Sequence, residues 1–222
     1  MKKLKYFAVM AMAAIVMASC GGQNAKKAEI IEKLEAGEVP EEVTRAAVDV
    51  QASEVAWKGQ KITGAGHHGT IGLKEGVIFV YDNQLWGGDM IIDMTKIVVE
   101  DLTDPEMNAR LKGHLESDDF FSVATYPEAR FQIIDFDPIA GAAEGQPNYR
   151  VSGNLTIKDI THSLAFDAII AFGDGEIMSR AELSFDRSLY EVRFGSGRFF
   201  ENLGDNLIND QINLTITLFA SY

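Results

Sequence analysis

Residues 149–172 read YRVSGNLTIKDITHSLAFDAIIAF, two long alternating segments joined by a short polar turn. Successive side chains of an extended chain point to opposite sides, so Tyr149, Val151, Gly153, Leu155 and Ile157 share one face and Arg150, Ser152, Asn154, Thr156 and Lys158 the other. After the turn at 159–161, Leu164, Phe166, Ala168, Ile170 and Phe172 again fall together. This period of two predicts a long antiparallel hairpin whose arms both offer an apolar side to one interior. Arms of about ten residues exceed the five or six of an average strand and suit an up-and-down barrel better than a small sandwich.

The same period recurs on either side of the hairpin. Val55, Trp57 and Gly59 alternate with Ala56, Lys58 and Gln60, predicting a strand over 55–62. Gly64 and Gly66 mark a turn before a short strand from His67 to Ile71, and Lys74-Glu75-Gly76 reads as a second turn before 77–81, giving two short strands joined as a hairpin. The paired glycines in LWGGDMIIDM (85–94) point to a bulge or a close backbone approach. Ala129, Phe131 and Ile133 supply another inward face, 176–186 follows the turn Gly173-Asp174-Gly175, and Ile212, Leu214, Ile216 and Leu218 close the chain. One helix interrupts the strands. Asp104-Pro105 has the form of an N-cap and first-turn proline, and Met107, Leu111 and Leu115 recur at helical spacing to about Glu116. Its expected role is a plug across one end, with those three residues, Phe120 and Phe121 facing in. The expected fold is all-β: an antiparallel barrel of about eight strands with one short helix capping an end, closed because closure removes strand edges.

The net charge of −13 argues against nucleic-acid binding, and a mean hydropathy of −0.02 excludes a polytopic membrane protein. Residues 1–19 carry Lys2, Lys3 and Lys5, an apolar run and a small-residue end, the layout of a secretory signal peptide. Ala18-Ser19-Cys20-Gly21 resembles a bacterial lipobox, although Met17 stands where leucine is usual; the resemblance implies cleavage before Cys20 and acylation of its sulfur, with palmitate as the label to follow. More than one acyl chain there anchors a protein stably to a membrane. As the single cysteine, Cys20 excludes an internal disulfide or a Cys-rich zinc site. Residues 20–44 then read as a lipidated polar tether, a solvated spacer in which Ile30, Ile31 and Leu34 form a brief helical stripe, and 45–222 as the barrel domain. The expected location is a bacterial cell envelope, membrane-anchored and facing the periplasm.

Several motifs together resemble one family. They are Trp57-x-Gly59-x-Lys61, His67-His68-Gly69-Thr70, Ile92-Asp93-Met94, Gly113-His114-Leu115-x-Ser117-Asp118-Asp119-Phe120-Phe121, Tyr126-Pro127-x-Ala129-x-Phe131, Gly153-Asn154-Leu155-Thr156-Ile157, and Asp186-Arg187 with Tyr190 and Gly195-Ser196-Gly197. Their pattern is similar to that of YceI-like domains. The resemblance implies an extended lipocalin-like barrel whose tunnel holds a polyisoprenoid or an isoprenoid quinone-like lipid, without a cofactor and without catalysis. On that reading the tunnel is lined by Trp57, Phe79, Met90, Ile92, Phe131, Ile133, Tyr149, Leu155, Phe166, Phe185, Leu214 and Ile216. The partners it implies are the isoprenoid lipid and, through Cys20, the membrane; the oligomeric state stays open between monomer and homodimer.

Two other readings compete. The alternating faces equally fit a dry, side-chain-filled core in a structural or stress-associated envelope protein, since eight strands enclose only side chains or one slender ligand. A metal- or His-assisted hydrolase is the third: His114 and Asp118 stand four apart, and Asp119, His67 and His68 are the candidates to complete a cluster. Helix capping by Ser117 and Asp118 accounts for the same residues without a metal. Gly195-Ser196-Gly197 lacks the strand-turn-helix setting of a hydrolase serine and reads as a loop turn.

Overall fold

The computed structural model describes residues 25–222; the expected signal peptide and Cys20 lie outside the described residues. In chain order the elements are β1 (Lys26–Lys27), β2 (Glu29–Ile30), β3 (Thr44–Val48), β4 (Glu54–Gln60), β5 (Gly66–Tyr81), β6 (Gln84–Val99), helix α1 (Pro105–Glu116), β7 (Glu128–Pro138), β8 (Tyr149–Ile157), β9 (Ile160–Gly173), β10 (Glu176–Asp186) and β11 (Gln211–Ser221). From β5 to β11 each strand pairs antiparallel with the next, and β3 and β4 bridge β11 back to β5. The result is a closed antiparallel barrel with eight wall positions. β3 and β4 share one position because a turn divides them, held by Asp49 Oδ1 accepting from Gln51 N and Ala52 N at 3.0 and 3.1 Å.

The opening hairpin is β8–β9, in register from Tyr149↔Ala168 to Ile157↔Ile160. Its turn is tighter than expected: Lys158 and Asp159 alone form it, with φ of 52° and 61°. Two left-handed residues give the turn whose twist matches that of its flanking strands. Asp82 and Asn83, at φ 47° and 56°, make the same turn between β5 and β6.

The sequence expectation fails at β5. Lys74-Glu75-Gly76 is not a turn between two short strands but part of one 16-residue strand. Leu73 pairs with Ile92 and Glu75 with Ile91, so Lys74 is an extra residue in a β-bulge. An inserted residue reverses which parity faces inward.

The amino-terminal segment also departs from expectation. The carboxyl-terminal part of β9 pairs β10, from Gly173↔Glu176 to Ala168↔Ala181, but before Ala168 the two strands part. Residues 26–31 fill the gap. β1 runs parallel to β10, with Ala28 N donating to Ser184 O, while β2 runs antiparallel to β9, with Ile31 N donating to Ser163 O. Ala28 is 2% exposed and belongs to the main core. The segment continues to Leu34, whose N–H donates to Ser163 Oγ and whose carbonyl accepts from Asn154 Nδ2. Part of the expected solvated tether is therefore a strap across the barrel seam. Asn154 and Ser163 belong to the polar, outward rows of their strands, yet they are buried beneath it.

Asp104 Oδ1 accepts from Met107 N at 2.9 Å, the cap that the sequence predicts for α1. Met107 itself is 52% exposed rather than inward-facing. Of the three residues expected to face in, Leu111 and Leu115 meet the interior.

Candidate functional site

The inward rows of the wall do not meet at the barrel centre. They enclose a cavity of about 620 Å3, running from Ile78, Phe136, Ile170 and Leu218 to an end covered by Leu111, His114 and Leu115 of α1 with Phe121, Phe194 and Ile208. Nearly every lining side chain is carbon; the polar ones are Gln60, Lys61, His67, His114, Ser179 and Arg187. Of the residues expected to line a tunnel, Trp57, Met90, Ile92, Phe131, Ile133, Leu155, Phe166, Phe185, Leu214 and Ile216 do so. Phe79 and Tyr149 do not. The Lys74 bulge turns Phe79 to the outer face, where the Arg45 guanidinium lies 5.0 Å from its ring, and Ile78 takes the inward place. Tyr149 packs edge-on against Phe172, ring centroids 6.5 Å apart, in the filled part of the core.

Space for the cavity is made partly by Gly153, which leaves room for the Phe131 ring, itself 5.7 Å from that of Phe166. Trp57 enters the wall with its indole Nε1 donating to Thr70 O at 3.2 Å, so its polar atom is satisfied while the ring faces carbon.

One end of the cavity is polar. Asp186 caps a short 3-10 turn, residues 187–190, by accepting from Ser188 N and Ser188 Oγ at 3.0 and 2.6 Å. That turn buries Arg187, whose side chain is 1% exposed. Its Nη1 donates to Val192 O at 3.0 Å and its Nε to Asn209 O at 3.4 Å. Burial lowers the Arg187 pKa, opposed by Asp210 and then Asp186. Burial, reinforced by Asp186, holds the Tyr190 phenol well above its usual pKa, so Tyr190 stays neutral. Periodicity could not have found this corner, because residues 187–209 have none; Asp186-Arg187 stood out only through the family pattern.

The histidines do not assemble as the metal reading requires. His67 Nδ1 lies 2.8 Å from Asp101 Oδ2, while His114 is stacked edge-on between Phe120 and Phe194 and lies 3.6 Å from Asp119. Among the described residues, no group of three or more His, Cys, Asp or Glu side chains is placed to hold a metal ion. Ser117 Oγ donates to His114 O at 2.7 Å, closing the helix end. Ser196 is fully buried, its Oγ accepting from Arg198 N within a turn.

The YceI-like domain model matches residues 47–220. This chain belongs to the YceI-like family. The family match begins after the strap, so residues 25–34 are an addition to the barrel that the family model does not span. Among solved structures, BcnA from Burkholderia cenocepacia is 21% identical with a TM-score of 0.61, the alignment covering 78% of this chain and 99% of that one. A polyisoprenoid-binding domain from Saccharophagus degradans, implicated in plant cell wall breakdown, is 18% identical with a TM-score of 0.53, covering 79% of this chain and 97% of that one. At these identities the two show a common fold. No curated protein matches the chain.

Proposed function

We propose that this YceI-like barrel binds a long apolar lipid of the isoprenoid class in its interior and acts as a carrier or buffer for it, without catalysis, at a bacterial cell envelope. The observation that carries the reading is the cavity of about 620 Å3 with an almost wholly carbon lining. That volume falls within the roughly 300–1,000 Å3 of ligand cavities, and each methylene moved into it from water contributes about 0.8 kcal/mol. A slender chain therefore needs few polar contacts to be held. The polyisoprenoid binding named for the Saccharophagus relative supports the same reading by likeness of fold. In this proposal acylated Cys20 holds the protein on the membrane from which the lipid is drawn.

Organic extraction of the protein purified from its native envelope, followed by lipid mass spectrometry, should return an isoprenoid in near-stoichiometric amount. Ala181→Phe, which places a ring in the cavity wall, should lower that amount while leaving the strand circular dichroism unchanged. A protein that yields no lipid and takes up no isoprenoid alcohol or quinone would leave the dry-core reading. Palmitate labelling lost on Cys20→Ala tests the anchor separately.

A further inference from the structure

The cavity reaches the surface beside α1. Ala65, Gly66 and Phe194 line it and are exposed to solvent, so it opens between the β4–β5 connection, residues 61–65, and the segment 193–200. The segments around the opening are tied to one another. Ile62 N donates to Leu207 O at 3.1 Å, Ile208 N to Gly195 O at 2.8 Å, and the His114 ring of α1 stacks 4.4 Å from Phe194. Apolar side chains on this rim stand in water: Ile62 is 60% exposed, Met107 52%, Phe200 49% and Phe194 41%. Met107 lies one turn before Leu111 and so extends the cavity-side stripe of α1 past the barrel edge. Single exposed hydrophobics are ordinary, but a ring of them at a cavity mouth marks an interaction surface.

The same rim gathers cations in an acidic chain. Lys61, Arg110 and Arg198 form no ion pair among the described residues, whereas Arg193 is taken by Glu191. The stretch RFGSGRFF (193–200) interleaves arginine with phenylalanine and holds no carboxylate before Glu201. The connections at the opposite end of the barrel carry Asp82, Glu144 and Asp174, all exposed. Lys26 pairs with Leu183, about 10 Å along β10 from its rim end at Asp186. The chain from Cys20 to Lys26 spans at most about 20 Å, so an acyl group on Cys20 reaches the plane of the rim.

We propose that the rim is a membrane contact separate from the acyl anchor. Ile62, Met107, Phe194 and Phe200 enter the interface of an anionic phospholipid bilayer, Lys61, Arg110 and Arg198 meet its phosphates, and the cavity opens onto the lipid without crossing water. The acidic opposite end is repelled by the same surface, which orients the barrel mouth-down. A second copy of the chain is a poorer occupant, because a two-fold contact through the rim sets like charges against each other. The inference goes beyond the lipid-binding reading and needs neither a filled cavity nor an acylated Cys20. Its failure therefore leaves the extraction and palmitate results to stand on their own.

The test is hydrogen–deuterium exchange of the full chain, alone and with excess vesicles of phosphatidylethanolamine and phosphatidylglycerol or of phosphatidylcholine only. On the anionic vesicles, amides within 61–65 and 193–200 should slow by at least about five-fold, the factor that a single lysine or arginine contributes at an anionic surface. Amides at 82–86, at the opposite end, should not change. Ile62→Asp with Phe200→Asp, both at exposed positions, should abolish the slowing while strand circular dichroism is kept. Lys61→Glu with Arg198→Glu should do the same. Absence of slowing at the rim overturns the inference, as does slowing at 82–86 instead or equal slowing on phosphatidylcholine; these arms use the native protein alone. Slowing that appears without vesicles and grows with protein concentration overturns it in favour of a second copy. A folded double variant that keeps the slowing overturns it as well.

Discussion

At Gly153 an added Cβ would lie 2.8 Å from the Phe131 ring and 2.5 Å from the Gln132 carbonyl oxygen. Gly153→Ala must therefore push the ring into the cavity or shift β8, and overpacking of this kind costs about 1–3 kcal/mol. Urea unfolding should show a loss of that size, together with reduced lipid uptake. Asp93 sets a different residue-scale effect. It accepts from Thr95 Oγ1 at 2.5 Å and from Thr95 N at 3.1 Å. The Thr95 hydroxyl, foremost, holds the carboxyl below its usual range, with Lys96 assisting and burial opposing. A depressed folded pKa contributes stability above the unfolded value, near 3.9, and that contribution is lost as pH falls through the folded value. Unfolding midpoints between pH 7 and 3 should drop on the acid side for the native protein and drop less for Asp93→Asn; identical slopes would contradict this. Most inward residues were legible because alternation names a face. Phe79 was not, since one inserted residue at Lys74 reverses the parity and nothing local in the sequence distinguishes a bulge from a turn there.

At the scale of elements, α1 and the strap make opposite cases. The cap that starts α1 is written in adjacent residues, and Asp104→Ala should cost about 0.5–2 kcal/mol by removing the bond to Met107 N. Thermal unfolding of that variant measures it. The strap is held by pairings distant in the chain: Glu29↔Ala165, Lys27↔Ser184, and a charge series in which Lys26 meets Asp167 at 2.6 Å while Arg150 meets both Asp167 and Glu29. Asn154→Ala removes the donor to Leu34 O and the acceptor of Ser163 Oγ. The amides of Ala28, Ile31 and Leu34 should then exchange with deuterium markedly faster than in the native protein, while β7–β8 amides keep their protection. Unchanged exchange would mean that the edges of the seam hold the strap without this bridge. Its polar composition concealed the strap, and the Ile30, Ile31, Leu34 spacing suggested a helical stripe instead.

At the scale of the molecule, closure and cavity act together. Each strand from β3 to β11 has neighbours on both sides, so the wall offers no long free edge, and β1 and β2 of the strap fill the place where β9 and β10 part. A ligand that occupies the interior only of the folded barrel must raise its stability by mass action, about 2.7 kcal/mol at a hundred-fold excess over Kd. Protein stripped of lipid should melt at a lower temperature than the same protein reloaded with an isoprenoid quinone; coincident melting curves would argue against occupancy of the cavity.

By itself the sequence determined the all-β class, the long β8–β9 hairpin, the capped helix and most of the inward row. Each follows from a period or a cap that is local to a few residues, and the motif pattern carried the family. The tertiary structure decided what no local pattern records. It placed the strap in the seam, turned Phe79 outward, left a hollow between the inward rows, and brought Arg187 from an aperiodic segment to the end of that hollow. The physical reason is common to all four: each depends on packing between segments far apart in the chain, where added residues and differences in side-chain volume decide which groups touch and which leave space.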